Sequence, residues 1–198
     1  MKKLLPLTFS ILASTFASSV CADNSWYIGA LYNSQEISMQ GRDFNTAGVV
    51  AGYQYNKYFA LETRLATGTS GYSSFYGTPE SPVSSYKEDI DNQNSILIKA
   101  SYPIFESFNL YGLIGYTNTK LEVRGLAQTN DQNGNLIGNF PFKLTESESG
   151  LSYGLGLNYR LNEHFDIFVD YQVLPDFEPD SSISKSWKST TVGLNYSF

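Results

Sequence analysis

The sequence contains one cysteine, Cys21, in 198 residues. It lies inside an N-terminal leader, so the remainder has no disulfide and no thiolate chemistry. There is one histidine, His164, which leaves little for neutral-pH proton transfer or metal ligation. Charged residues make up 16%, against roughly a quarter in a typical soluble domain. The 13 basic residues are outnumbered by 19 acidic ones. That balance excludes the basic footprint of a nucleic-acid binder. After residue 22 no stretch approaches the roughly 18 to 20 consecutive apolar residues of a membrane-crossing helix.

Residues 1–22 read as a secretory signal peptide. Lys2 and Lys3 form its basic region, Leu4 to Ala17 its short apolar core, and Val20-Cys21-Ala22 the small residues of a cleavage site before Asp23. A lipoprotein reading puts Ser18 and Val20 where the acylation motif needs a Leu-like residue and Gly or Ala, and is set aside. The leader carries two basic residues and no acid, so 23–198 holds 11 bases against 19 acids, a formal −8. One domain, 23–198, follows.

Aromatics are abundant at 15%, with Tyr leading. They fall in a period-two pattern. In 151–161, Leu151, Tyr153, Leu155, Leu157, Tyr159 and Leu161 share one face, and Ser152, Gly154, Gly156, Asn158 and Arg160 the other. That is a strand with one apolar and one small or polar face. The pattern recurs in 26–33, 49–56, 59–66, 95–102, 110–117, 166–173 and 191–198. The strand number is even, as in a closed antiparallel barrel. Connections alternate too. Those at 56–58, 103–108 and 162–165 are short; those at 35–44, 70–92, 123–147 and 175–187 are long and read as loops. The fold expected is all-β: an eight-stranded antiparallel up-and-down transmembrane barrel. Eight rows of Leu, Ile, Tyr, Phe and Trp cannot fit inside a barrel this narrow, so they face lipid and the small residues face inward.

Six charges fall on inward faces: Glu62, Arg64, Lys99, Arg160, Asp166 and Asp170. Buried charges need partners, so a packed polar core is expected in preference to a leaking lumen. His164 lies in a predicted periplasmic turn, away from the outer leaflet, and no nucleophile–base pair is recognisable. No catalysis and no cofactor is expected. Glu80, Glu88, Asp89 and Asp91, and Asp176, Glu178 and Asp180, form acidic groups without calcium-loop spacing, and read as a solvated rim. Phe75, Tyr76, Phe140 and Phe142 stand in the long loops as candidate partner contacts.

Ser25-Trp26-Tyr27-Ile28-Gly29-Ala30, Gly52-Tyr53-Gln54-Tyr55-Asn56, Val169-Asp170-Tyr171-Gln172 and Val192-Gly193-Leu194-Asn195-Tyr196-Ser197-Phe198 resemble the first, second, seventh and last strands of the small outer-membrane β-barrel family, the OmpA-type transmembrane domain with its OmpX and opacity-protein relatives. The resemblance covers 23–198. It implies an interior acid–base network, with Glu62, Lys99 and Asp170 in matching strand contexts. No basic residue on the last strand matches the family's, since Lys188 is in register to point outward. It implies that Tyr196 and Phe198 signal to the outer-membrane assembly machinery and its periplasmic chaperones. The pattern stops at the barrel, so no cell-wall tether is carried over. The role expected is structural or surface-interactive, through extracellular loops contacting a host or cell-surface ligand. Outer-membrane lipid and lipopolysaccharide are the surrounding partners. The alternative is a narrow porin passing ions or small solutes.

Overall fold

The computed structural model describes residues 25–39, 41–78, 81–130, 136–180 and 183–198. The expected signal peptide 1–22, Glu80, and the side chains of Tyr76, Glu178 and Asp180 lie outside the described residues. The strands are β1 (Ser25–Ile37), β2 (Asp43–Gln54), β3 (Phe59–Ser70), β4 (Tyr72–Thr78), β5 (Ser81–Phe105), β6 (Phe108–Asn130), β7 (Leu136–Arg160), β8 (Phe165–Asp180) and β9 (Ile183–Ser197). Each pairs antiparallel with its neighbours, in the order β3-β2-β1-β9-β8-β7-β6-β5-β4. A further β3–β5 pairing closes the ring. β3 and β4 both pair with β5, at 93–100 and 81–88, and only Gly71 separates them. They act as one wall strand with a break, so nine strands fill eight positions. The break needs glycine: a Cβ on Gly71 would meet the Glu88 carbonyl oxygen at 2.1 Å.

Short turns gather at the end that also holds Ser25 and Phe198. Two of them use one device. Asn56 Oδ1 accepts the backbone N–H groups of Tyr58 and Phe59, and Asn162 Oδ1 those of His164 and Phe165. An asparagine side chain that satisfies the turn's own donors fixes a tight reversal at little cost.

The apolar rows face outward. Ile28, Leu61, Ile96, Ile98, Leu155 and Val192 are exposed, as are their neighbours along the same strands. Closure satisfies the backbone, so these rows can meet lipid without an open edge inside the hydrocarbon.

The structure corrects the four long connections. They are largely strand, not loop: β1 and β2 pair out to Glu36↔Asp43, β4 and β5 out to Thr78↔Ser81, and β6 and β7 out to Asn130↔Leu136. Beyond the lipid-facing rows the sense of the faces inverts. Ile37, Phe44, Ile90, Leu121, Leu174, Phe177 and Trp187 turn inward and pack together, while charged side chains turn out. The wall there meets water, so it follows the soluble-barrel rule.

The inward glycines make room for rings. Tyr27 lies over Gly52, Tyr111 over Gly156 and Phe168 over Gly193, each pair directly opposite across two strands. A Cβ at those glycines would fall 2.0, 2.4 and 2.3 Å from the ring Cζ atoms. Three large aromatics thereby fit a lumen too narrow for opposed side chains.

Candidate functional site

From the short-turn end upward, the lumen has four levels. The first is an open vestibule of about 680 Å³, lined by Lys57, Lys99, Glu106, Asn158, Arg160, Asp166 and Asn195 among others. Arg160 Nε stands 3.8 Å from Asp166, at the rim. These two expected interior charges therefore sit at the mouth and apart from the other four.

The second level gathers Glu62, Arg64, Lys99 and Asp170. Arg64 Nε donates to Glu62 at 2.6 Å, and its terminal nitrogens hold both Asp170 oxygens at 2.8 and 3.2 Å. The Tyr27 hydroxyl donates to Glu62 at 2.7 Å and the Tyr111 hydroxyl to Asp170 at 2.9 Å. Gln172 donates to Asp170 at 2.8 Å. Lys99 Nζ lies 3.7 Å from Glu62 and 4.1 Å from the Tyr111 ring centre. Two acids and two bases balance, and the carboxylates are multiply bonded, which is the condition under which buried ions are tolerated.

The third level is uncharged. Asn33 donates to Thr46, Gln35 to Gln93, and Gln93 to Thr119. Thr117 bonds both Ser95 and Ser152. The cavity between this level and the charges measures about 10 Å³, at most the space of a single water. The fourth level is the apolar plug of Trp187, Phe44, Phe177 and their neighbours. The charge layer and the plug lie between the vestibule and the outer end. Sequence reasoning missed the plug and the uncharged layer. Most of the plug lay in segments taken for loops, whereas Asn33, Ser95, Thr117 and Ser152 of the uncharged layer stood in expected strands and only their cross-strand bonding was missed.

Above the plug, β4, β5, β6 and β7 continue as a four-stranded sheet. β7–β8 pairing stops at Tyr153↔Val173. Two residues on, Pro175 has no N–H to give the ladder and packs instead at Gly150. β7 is therefore an edge above Ser152. On the inward face of this sheet stand Phe140 and Leu144, both exposed, and Phe142, packed over Gly125. Tyr72 and Tyr86 meet edge on at 6.3 Å across the same face. Glu88 accepts from Arg42 Nε at 2.8 Å and from the Tyr86 hydroxyl. Burial and the Glu88 carboxylate push the Tyr86 phenol up to about 12. It stays a donor at physiological pH, and its contribution is lost only as pH rises toward that value.

The candidate partner aromatics thus divide. Phe140 and Phe142 share the inward face, Phe75 is exposed on the opposite one, and all three are on strands. The acidic group around Glu88 is dispersed: Glu88 points in to Arg42, Asp89 pairs with Lys87 and Asp91 with Lys120. Among the described residues no three His, Cys, Asp or Glu side chains are placed to hold a metal ion. His164 stacks on Tyr196 at 5.5 Å and its Nδ1 lies 3.1 Å from the Ser197 carbonyl oxygen, tying a turn to the last strand. Tyr196 and Phe198 meet edge on at 5.3 Å. Lys188 is exposed opposite Glu36 on the outward face.

Solved structures with this fold include the attachment invasion locus protein Ail of Yersinia pestis, in complex with the heparin analogue sucrose octasulfate. It is 17% identical over 88% of this chain and 97% of that one, with a TM-score of 0.52. The N-terminal barrel domain of Pseudomonas aeruginosa OprF is 11% identical over 87% and 97%, TM-score 0.53. Neisserial surface protein A is 13% identical over 89% and 98%, TM-score 0.53. No curated protein sequence matches the chain. The family model for the outer membrane protein beta-barrel domain matches residues 7–198. With the closed ring and its outward apolar rows, this settles the setting: the chain belongs to the outer membrane protein beta-barrel domain family and resides in the bacterial outer membrane.

Proposed function

We propose that the protein is a non-catalytic, sealed scaffold that carries its extracellular sheet outward to contact other surfaces. The observation behind this reading is the pairing of a filled lumen with an exposed aromatic face. The charge layer and the plug leave no room for solute, while Phe140 and Leu144 stand in the open on a rigid four-stranded support. Binding residues on a rigid scaffold are the usual arrangement of recognition surfaces. A surface role is also what the name of the Yersinia pestis neighbour describes.

The test is adhesion of bacteria displaying the protein to cultured host cells, compared with the variant Phe140→Ser/Phe142→Ser/Leu144→Ser. Adhesion is expected to fall at least about fivefold, roughly 1 kcal/mol by the tenfold-per-1.4 relation. The heat-dependent gel shift that reports a folded barrel is expected to persist. Unchanged adhesion by a folded variant contradicts the reading.

The vestibule favours a second reading, a narrow porin. It opens about 680 Å³ of the barrel interior to the periplasmic side, with Lys99 in its lining. Conductance steps in a planar bilayer that disappear in Lys99→Met support that alternative.

A further inference from the structure

The outward face of β5–β7 carries charge in a pattern the scaffold does not need. Lys87 is directly opposite Arg124, and Arg124 directly opposite Lys143. Three bases therefore form one rung across three strands, each side chain about 60% exposed (60%, 63% and 61%). Like charges set opposite one another in a sheet are destabilising. Their neighbours relieve this only in part. Lys87 pairs with Asp89 at 2.7 Å, and Glu122 is shared by Arg124 and Lys143. Lower on the same face Lys120 stands 3.4 Å from Asp91. The face holds four of the chain's 13 bases and three acids, an excess of positive charge on a chain of net charge −6.

Its position says what it meets. Along each strand the same face continues downward into the lipid-facing rows, with Ile96, Tyr116 and Leu151 exposed in one rung. Asn118 begins the polar part of that face. At about 3.3 Å per residue and a tilt of about 40°, Lys120 lies some 5 Å above Asn118 and the three-base rung some 15 Å above it. Those heights belong to the polar layer of the leaflet the barrel sits in: the headgroup phosphates first, then the saccharide next to them. In the outer leaflet that layer is lipopolysaccharide, whose phosphates lie at both levels.

We propose that the outward face of β5–β7, through Lys87, Arg124 and Lys143 with Lys120 below them, is a binding site for the phosphate groups of lipopolysaccharide in the protein's own leaflet. Arg124 meets Glu122 through Nε while its side chain stays 63% exposed. Guanidinium and ammonium groups bind phosphate through charge-assisted hydrogen bonds. The inference stands apart from the partner reading above, which uses the opposite face of the sheet.

The test uses the full chain, folded and placed in phosphatidylcholine nanodiscs. The probes are a rough lipopolysaccharide and the same material stripped of its phosphates with hydrogen fluoride, with binding read by fluorescence of a labelled glycolipid. The wild type is expected to bind the phosphorylated form at least tenfold more tightly, with affinity falling as salt rises. Lys87→Gln/Arg124→Gln/Lys143→Gln is expected to abolish that preference, whereas Lys188→Gln, on another part of the outward wall, leaves it intact. Asp89→Asn, which removes an acid from the face, is expected to tighten binding and answers the question if the triple variant fails to fold. Equal binding of both glycolipids by the wild type overturns the proposal. So does a folded triple variant that keeps the preference, or an Asp89→Asn variant that binds no more tightly.

Discussion

Arg64→Ala is expected to destabilise the barrel by about 3–5 kcal/mol, the cost of breaking a buried ion pair from one side. The guanidinium holds Glu62 through Nε and both oxygens of Asp170 through its terminal nitrogens. Removing it leaves two carboxylates facing each other in a closed lumen, with Lys99 too far from Glu62, at 3.7 Å, for a short bond. The expected reading is a large drop in the urea midpoint of the chain folded into lipid vesicles. A second variant separates charge from shape. Glu62→Gln/Arg64→Met/Lys99→Met/Asp170→Asn leaves no uncompensated charge in the layer and is expected to recover most of the loss, because a buried ion cluster is worth little more than a packed neutral one. If the quadruple variant is as unstable as Arg64→Ala, the loss came from packing.

Gly156→Val is expected to cost about 3 kcal/mol, at the upper end of overpacking penalties. The added Cβ would stand 2.4 Å from Tyr111 Cζ and 2.7 Å from Asp170 Cβ. Tyr111 cannot swing away cheaply. Its hydroxyl bonds Asp170 and its ring carries Lys99, so displacing it disturbs the charge layer as well. Gly112→Val is the control. A Cβ there meets nothing nearer than 3.9 Å, and a change within about 0.5 kcal/mol is expected. Adding Tyr111→Ala to Gly156→Val is expected to return part of the loss, a coupling that only residues in contact show. Urea titration of the wild type, Gly156→Val, Gly112→Val, Tyr111→Ala and the double variant reads all of this.

How much of this was legible depends on what stood on each side of the wall. Where lipid faces one side, Leu151 to Leu161 alternates plainly, and strand, face and inward charge all follow. Glu62, Arg64, Lys99 and Asp170 were recognisable as inward residues for that reason. Their separation from Arg160 and Asp166 was not, because depth along the lumen is set by strand tilt and cross-strand register. Above the membrane the alternation persists but its sense reverses. Leu121 and Val123 point in, while Arg124 stands exposed on the outward face and covers Glu122 there. A rule that sends apolar residues to lipid breaks off at that inversion, so 70–92 and 123–147 read as loops. The plug was lost across all four walls: Ile37 and Phe44 fell in 35–44, Ile90 in 70–92, Phe177 and Trp187 in 175–187, and Leu121 and Leu174 just beyond the expected strands, though Ile37 keeps the parity of Leu31. The pairings of Tyr27, Tyr111 and Phe168 with glycines on neighbouring strands are long-range and leave only a weak local trace, glycines on the inward face. The link from His164 to Ser197 is equally invisible, since 33 positions of chain separate them.

The claim on which the functional reading rests is that the lumen is closed. The direct measurement is the conductance of the folded chain in a planar bilayer at high salt, alongside Trp187→Ala/Phe44→Ala/Phe177→Ala, which thins the plug. A silent wild type beside a variant that remains folded and still conducts weakly or not at all, because the Glu62–Arg64–Asp170 layer persists beneath, is the result predicted. Discrete, reproducible steps from the wild type contradict it and put the porin reading first.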